Sequence, residues 1–481
     1  MKKNRLASIL LSAALLTGAA LSCPAAAAPA ASPAPSPAVS AAPESTVPQT
    51  AQLQSALLSA MHIQANAAVL VDDDTGEVLY AQNAHDRAYP ASITKVMTSL
   101  LMLESVARGE HALDETITVG DQVNYGIGEG GSTAGIKAGE QLTIHDLLGA
   151  ALIPSANEAC NAMAQIVSGD VESFVALMNQ RAQELGMNDT HFANPHGYHN
   201  PEHYTSAYDV YLMAHEAMKD PTFRELVSSV DYKIPATNLS EPRTLHSTNG
   251  LVSTWRVREY WYPHATGIKT ASTPEAGHCL VSSATKNDRN LIAVVMGAVN
   301  YTENKEVNYF TESKRLLEFG FNDFSRQTIL DGTSLDFPEV GVALSETDYV
   351  TVRPAGSLEA TLPNDIDPSS FQREIDLPKT VDAPVEAGQK LGTVTLTCNG
   401  QTFGQVDLLA NSSVERSELL YRLDCIQKFF DQLWVKLVLA ALAVLIVVLL
   451  FRRLLRGGRN RRYSGRSRGG RPARYSGRRR R

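Results

Sequence analysis

Ser92 and Lys95, in the run Pro90-Ala91-Ser92-Ile93-Thr94-Lys95, have the residue types and spacing for nucleophilic chemistry. Proline and serine ahead of the apolar run 96–103 predict a helix start, and residues three apart leave the same helix face. A serine hydroxyl becomes a useful nucleophile when a base takes its proton, and a neutral lysine amine is such a base. Taken alone, S-x-x-K is far more often an N-capping serine beside a solvated lysine. Two further clusters follow in order, Ser155-Ala156-Asn157 and Lys269-Thr270-Ala271. Ser155 would relay a proton to a leaving group, and Asn157 would hold Lys95 or a substrate. Lys269 and Thr270 would present a cation and a donor to a carboxylate. Burial and a neighbouring cation such as Lys269 would push the Lys95 pKa down and leave it neutral.

These side chains need elements to hold them. Residues 54–61 predict a helix, and 67–72, 73–76 and 77–80 predict strand, turn and strand. Helical periodicity covers 142–153, about 157–167, 171–185 and 207–218. Residues 267–271, 279–284 and 291–299 predict three strands, and 313–321 a final helix. Strands at both ends with helices between imply one antiparallel sheet packed by helices, an α+β class, and not βαβ repeats. The glycine-rich 126–139 has no Gly-Lys-Ser/Thr and no clear preceding strand, which favours a plain loop over a phosphate cradle. Beyond Asp331, the runs 339–344, 349–352, 389–397 and 402–408 predict a small all-β domain, followed by a helix over 416–430.

The ends of the 481-residue chain say where it works. Lys2, Lys3 and Arg5 precede an apolar run and an alanine-rich stretch, which predicts a secretory signal over 1–27. An Ala/Pro/Ser-rich linker over 28–53 cannot bury enough surface to order itself. Residues 433–451 are apolar except for Lys436, long enough to span a bilayer, with Trp434 suited to the interface. Fourteen arginines and no acidic residue follow Phe451, which predicts a cytoplasmic tail over 452–481. The expected order is a catalytic domain at 54–328, the β domain at 329–412, a juxtamembrane helix at 413–432 and a transmembrane helix at 433–451. The catalytic part would be extracytoplasmic. With those arginines and the three signal cations set aside, 26 basic residues face 51 acidic ones, a balance of −25. That charge argues against nucleic acid as partner of the main domain. Cys160, Cys279, Cys398 and Cys425 have no C-x-x-C spacing, and an external location permits disulfides without predicting one.

The ordered triple S-x-x-K, S-x-N and K-T-G is a signature of penicillin-binding proteins and serine β-lactamases, here with Ala271 in the last place. The chain most resembles the low-molecular-mass penicillin-binding proteins, the D-alanyl-D-alanine carboxypeptidases. The likeness runs over about residues 62–325 and more loosely to about 410. Val71-Asp72 with Thr75-Gly76, Asn194-Pro195-His196-Gly197, Ser247-Thr248-Asn249 and Ala276-Gly277 also look like that family. The resemblance implies a β-lactamase/transpeptidase-like antiparallel sheet with a helical cluster. It implies acyl transfer on peptidoglycan stem peptides, with Ser92 as nucleophile, Lys95 as base and terminal D-alanine leaving. Backbone N–H groups of Ser92 and Ser272 would form the oxyanion hole. β-Lactams would acylate Ser92 as substrate mimics, and no metal or organic cofactor is implied.

Three positions depart from the pattern. Ala271 replaces a glycine, where a methyl group would crowd the substrate against the strand. Glu158 stands where aspartate is usual. Residues 300–312 hold Lys305 but no arginine for the substrate's terminal carboxylate. Two other readings compete: a β-lactamase, which needs a glutamate in an E-x-x-x-N pattern to activate the deacylating water, a pattern not expected between Asn157 and Lys269, and a wall-peptide or β-lactam binder without turnover. The membrane segment and β domain fit a carboxypeptidase better than a β-lactamase. His191, His196, His199 and His203 straddle Pro195 and Pro201, so they share no helical face for a metal. Asp72-Asp73-Asp74 with Gly76 resembles the start of a calcium loop without its twelfth-position glutamate, and a turn fits better.

Overall fold

The computed structural model describes Thr50 and residues 53–255, 258–298 and 308–457. The expected signal, nearly all of the linker, Lys305 and the arginine tail from residue 458 lie outside the described residues. Strands β1 (Ala67–Asp72) and β2 (Val78–Gln82) form the first hairpin, turned at Gly76 with φ +75°. Two small antiparallel pairs follow: β3 (Thr116–Thr118) with β4 (Gln141–Thr143), and β5 (Asp231–Ile234) with β6 (Arg243–His246). Then β7 (Ala265–Thr273), β8 (Gly277–Lys286) and β9 (Arg289–Ala298) complete an antiparallel sheet in the order β2-β1-β9-β8-β7.

The central strands read as unbroken apolar runs because both faces of the sheet are covered. Along β1, Ala67, Val69 and Val71 enter the larger core, while Ala68 and Leu70 enter a second one behind the sheet. β9 does the same, with Ile292, Val294 and Met296 on one face and Leu291, Ala293 and Val295 on the other. Register aligns the two sets, Val69 opposite Val294 and Leu70 opposite Ala293. Each fully buried valine, leucine, isoleucine or methionine among them stabilises the fold by about 1.5–3 kcal/mol.

The larger core is roofed by helices Lys95–Ala107, Ile144–Leu152, Asn157–Ser168, Val171–Glu184, Ala207–Ala217 and Pro221–Ser228. The last of these lies outside the expected helices, although Asp220 accepts the Phe223 N–H as a cap and Pro221 occupies the first turn. Helix Asn308–Asn322 covers the other face through Leu316 and Leu317. The antiparallel α+β architecture matches the expectation.

Nine strands make the C-terminal unit. They are β10 (Phe324–Leu330), β11 (Val340–Ala343), β12 (Tyr349–Val350), β13 (Val352–Pro354), β14 (Leu358–Pro363), β15 (Gln372–Asp376), β16 (Thr380–Asp382), β17 (Lys390–Cys398) and β18 (Gln401–Ala410). They assemble as β10-β14, β12-β11-β16 and β13-β18-β17-β15 around Val340, Val352, Leu362, Val394, Leu396 and Leu408. β10 runs across the expected boundary at 328/329. The joint to the first unit is polar: buried Asp72 accepts from Thr361 Oγ1 at 3.0 Å and lies 3.5 Å from Arg289, while the Thr361 N–H donates to Glu77 Oε2 at 2.7 Å. Asp72 is therefore a joint residue, and 73–76 is the turn. Helices Glu418–Asp431 and Leu433–Gly457 end the described chain. Residues Leu433–Leu454 of the second are long and apolar enough to cross a membrane.

Candidate active site

Three elements bring the sequence motifs together. A 3₁₀ turn, Ala91–Thr94, feeds directly into helix Lys95–Ala107 and packs against the edge strand β7. Helix Lys95–Ala107 in turn packs on helix Asn157–Ser168. Ser92 is not a cap. Its Oγ instead accepts a hydrogen bond from Lys95 Nζ at 2.9 Å, which the i,i+3 spacing allows. Ala91, just before it, has φ +44°, a left-handed conformation disfavoured for alanine.

Lys95 is wholly buried, and burial pushes its amine down to about 8. Cys160 and Glu158 act in the opposite direction. The expected push from Lys269 plays no part in this; desolvation alone lowers the amine. Lys269 is also buried, and burial followed by the nearby Lys95 charge holds its amine well below the usual lysine value. The second Lys95 hydrogen bond goes to the His196 carbonyl at 2.7 Å, not to the Asn157 amide.

Ser155 sits at φ +74°, and its buried Oγ has no hydrogen-bond partner in the described structure. A strained serine with a free, buried hydroxyl is the kind of group kept for use on a ligand. Asn157 opens its helix, with its N–H donating to Ser132 O at 2.9 Å. Glu158 anchors the preceding loop: Oε1 accepts from Thr133 Oγ1 at 2.6 Å and from the Ala134 N–H at 2.7 Å. A glutamate there does more than replace an aspartate; its extra length reaches the loop.

On β7, Thr270 Oγ1 is 2.6 Å from Thr248 Oγ1, and Lys269 Nζ donates to Thr270 O at 3.1 Å. Ala271 is 5% exposed and packed in the larger core, on the same face of the strand as Lys269. Ser272 pairs with His278 in the β7–β8 ladder. Glu184 and Asn188 do have E-x-x-x-N spacing, but Glu184 is exposed and pairs with Arg181. Arg181 also binds Glu104, nine residues and about 13 Å along the helix from Lys95.

Four residues that the sequence offered only as family likeness or as a rejected metal cluster contribute here: His196 through its carbonyl, Thr248, Gly197 and His203. The turn Asn194-Pro195-His196-Gly197 lies against the nucleophile segment, with Thr98 Oγ1 donating to Pro195 O at 2.5 Å. A Cβ at Gly197 would come within 1.8 Å of the Ala91 carbonyl oxygen, and its φ is +84°. Gly197→Ala is therefore expected to cost about 2 kcal/mol or more, read as a lowered Tm together with slower penicillin capture. An unshifted Tm with full capture would contradict so close an approach. Of the four histidines, His196 and His203 are buried, His191 Nδ1 lies 2.6 Å from Glu202 O, and His199 lies 3.9 Å from Glu275.

Known proteins carry the same arrangement of domains. The family model described as D-alanyl-D-alanine carboxypeptidase matches residues 52–300, and that of the penicillin-binding protein 5 C-terminal domain matches 327–416. The D-alanyl-D-alanine carboxypeptidase DacF of Bacillus subtilis (strain 168) is 30% identical over 354 residues, covering 74% of this chain and 87% of that protein. DacC of Escherichia coli (strain K12) is 31% identical over 401 residues, covering 80% and 90%. The crystal structure of penicillin binding protein 5 from Haemophilus influenzae superposes with a TM-score of 0.57 at 28% identity, covering 74% of this chain and 99% of the other. A model match over more than half the chain, with relatives aligned across both units, leaves one conclusion: the chain belongs to the D-alanyl-D-alanine carboxypeptidase family.

Proposed function

We propose that this chain is a serine-type carboxypeptidase that removes the terminal D-alanine from peptidoglycan stem peptides through an acyl-enzyme on Ser92. The observation that carries the reading is the 2.9 Å hydrogen bond between Lys95 Nζ and Ser92 Oγ, with the amine buried and pushed down to about 8. Lys95 in its neutral form takes the Ser92 proton as Oγ attacks the carbonyl of the penultimate D-alanine. The resulting oxyanion is held by backbone N–H groups of Ser92 and Ser272. The C–N bond then breaks, and the leaving amine takes its proton through the Ser155 hydroxyl, which is unpartnered as such a relay needs. Water, deprotonated by Lys95, cleaves the ester and regenerates Ser92. Asn157 holds the substrate amide, and Lys269 with Thr270 receives the terminal carboxylate. β-Lactams enter the same first step and stall as esters on Ser92.

The catalytic domain runs from residue 54 to the end of the helix Asn308–Asn322, and the β domain from β10 to about residue 412. The 433–451 helix, preceded by 413–432, tethers both outside the membrane, and the arginine tail lies in the cytoplasm. The deciding measurement is D-alanine release from a pentapeptide by the purified chain. Release faster than penicillin hydrolysis supports the carboxypeptidase, while covalent penicillin capture without release indicates a binder. Ala271→Gly tests the crowding expected from the methyl group. Because that methyl is buried, turnover should change less than about threefold while stability falls by about 1 kcal/mol. A tenfold gain in turnover would show that the methyl does obstruct the substrate.

A further inference from the structure

A chain of hydrogen bonds runs beneath the nucleophile, and the roles assigned so far leave it unused. His203 is 2% exposed, and its Nδ1 accepts the Ala193 N–H at 2.9 Å. A ring nitrogen that accepts has no proton of its own. Burial, with the surrounding histidines and Lys95 in support, pushes the ring down to about 3, so it is neutral and Nε2 carries its one proton. Nε2 lies 2.7 Å from Thr94 Oγ1 and donates to it. The hydroxyl proton of Thr94 is thereby left for the Ala91 carbonyl, 2.8 Å away.

Every donor in the chain has one acceptor, and the direction is set from the Ala193 amide inward. It ends on Ala91, the residue held at φ +44° immediately before Ser92. The same carbonyl oxygen is closed in from the other side by Gly197, where no Cβ fits. Left to itself, an alanine would relax from the left-handed region and carry Ser92 away from Lys95.

We propose that His203 and Thr94 are positioning residues that hold Ala91 in its left-handed turn and so keep Ser92 Oγ aimed at Lys95 Nζ. The proposal rests on the reading of Ser92 as the nucleophile. His203 touches no reacting atom; it acts through Thr94, and Thr94 acts through the Ala91 carbonyl.

The test is the acylation rate constant of the full chain with a fluorescent penicillin, alongside Tm and the final labelling stoichiometry. Thr94→Val keeps the shape and loses the hydroxyl; Thr94→Ser keeps the hydroxyl. His203→Phe fills the space without the bonds, and His203→Gln offers an acceptor and a donor at similar spacing. Thr94→Val and His203→Phe are expected to acylate about 10- to 100-fold more slowly while still labelling to completion, since small misplacements of a nucleophile cost that much. Thr94→Ser and His203→Gln should stay within about threefold of the parent. The double variant Thr94→Val/His203→Phe should be no slower than the worse single one, because both break one chain. The pH at half-maximal rate should stay where it is, because His203 carries no titrating proton in that range. Thr94→Val or His203→Phe acylating at the parent rate overturns the proposal, as does a rate loss matched by an equal loss of label stoichiometry, which marks unfolding only. Failure of the underlying reading looks different: label would persist in Ser92→Ala, and the proposal would fall with it.

Discussion

Ser92→Ala should abolish covalent penicillin capture and lower D-alanine release by at least about 10⁴-fold. The loss is that large because the other residues assist a bond that alanine cannot form. Removing the nucleophile of a serine enzyme costs about as much as removing its whole assisting set, roughly 10⁶-fold in a well-studied protease. The fold should survive the change. Ser92 gives up a hydroxyl whose bond is to the Lys95 amine, and that amine keeps its second acceptor, the His196 carbonyl at 2.7 Å. The intact mass of the chain after penicillin treatment reads the outcome directly: the parent gains one penicillin, the variant none. A persisting adduct would move the nucleophile elsewhere, with Ser155 and its unpartnered hydroxyl the next candidate.

Much of this site was legible because local spacing dictates it. A separation of three positions between Ser92 and Lys95 puts both side chains on one face, whether the backbone is 3₁₀ or α, and the structure uses the first for one turn and the second thereafter. The strands of the sheet were legible as apolar runs because β1 and β9 are covered on both sides. What stayed hidden was contributed by backbone or by long-range packing. Lys95 has a carbonyl 101 positions away as its second partner, and a carbonyl has no residue type to read. The left-handed turns at Ala91 and Ser155 run against the preference of both residues, so propensity points away from them. Glu158 looked like a minor change of motif, yet its carboxylate holds the loop at 132–136, which no pairwise spacing reveals. The strand pair β10–β14 was missed because Arg326, Gln327 and Glu359 interrupt what would otherwise read as apolar alternation.

Lys95→Met should slow acylation by about 10³-fold and remove its pH dependence, and the same change should alter how stability responds to pH. General base assistance contributes about 10²- to 10⁴-fold, and Lys95 has it to give only when neutral. With the buried amine at about 8, the parent's acylation rate should climb as pH rises through 8 and level off above it. In Lys95→Met that inflection should be absent. Stability follows from the same shift. The unfolded lysine holds its proton up to its ordinary value of 10.5, while the folded one gives it up near 8. Between those values the unfolded state binds more protons, so raising the pH from 8 to 10.5 favours the folded state, by up to about 3 kcal/mol from this one group. Below 8 both states are protonated and the burial cost is present in full. Chemical denaturation of parent and Lys95→Met across pH 7 to 10.5 separates this increment from every other titrating group, since only their difference contains Lys95. A parent curve that runs parallel to the variant's would place the lysine proton elsewhere, and an acylation midpoint retained in Lys95→Met would assign the base to Lys269. The site is thus built at a cost to the fold: the burial that makes Lys95 a base at working pH is the same burial that a protonated amine resists.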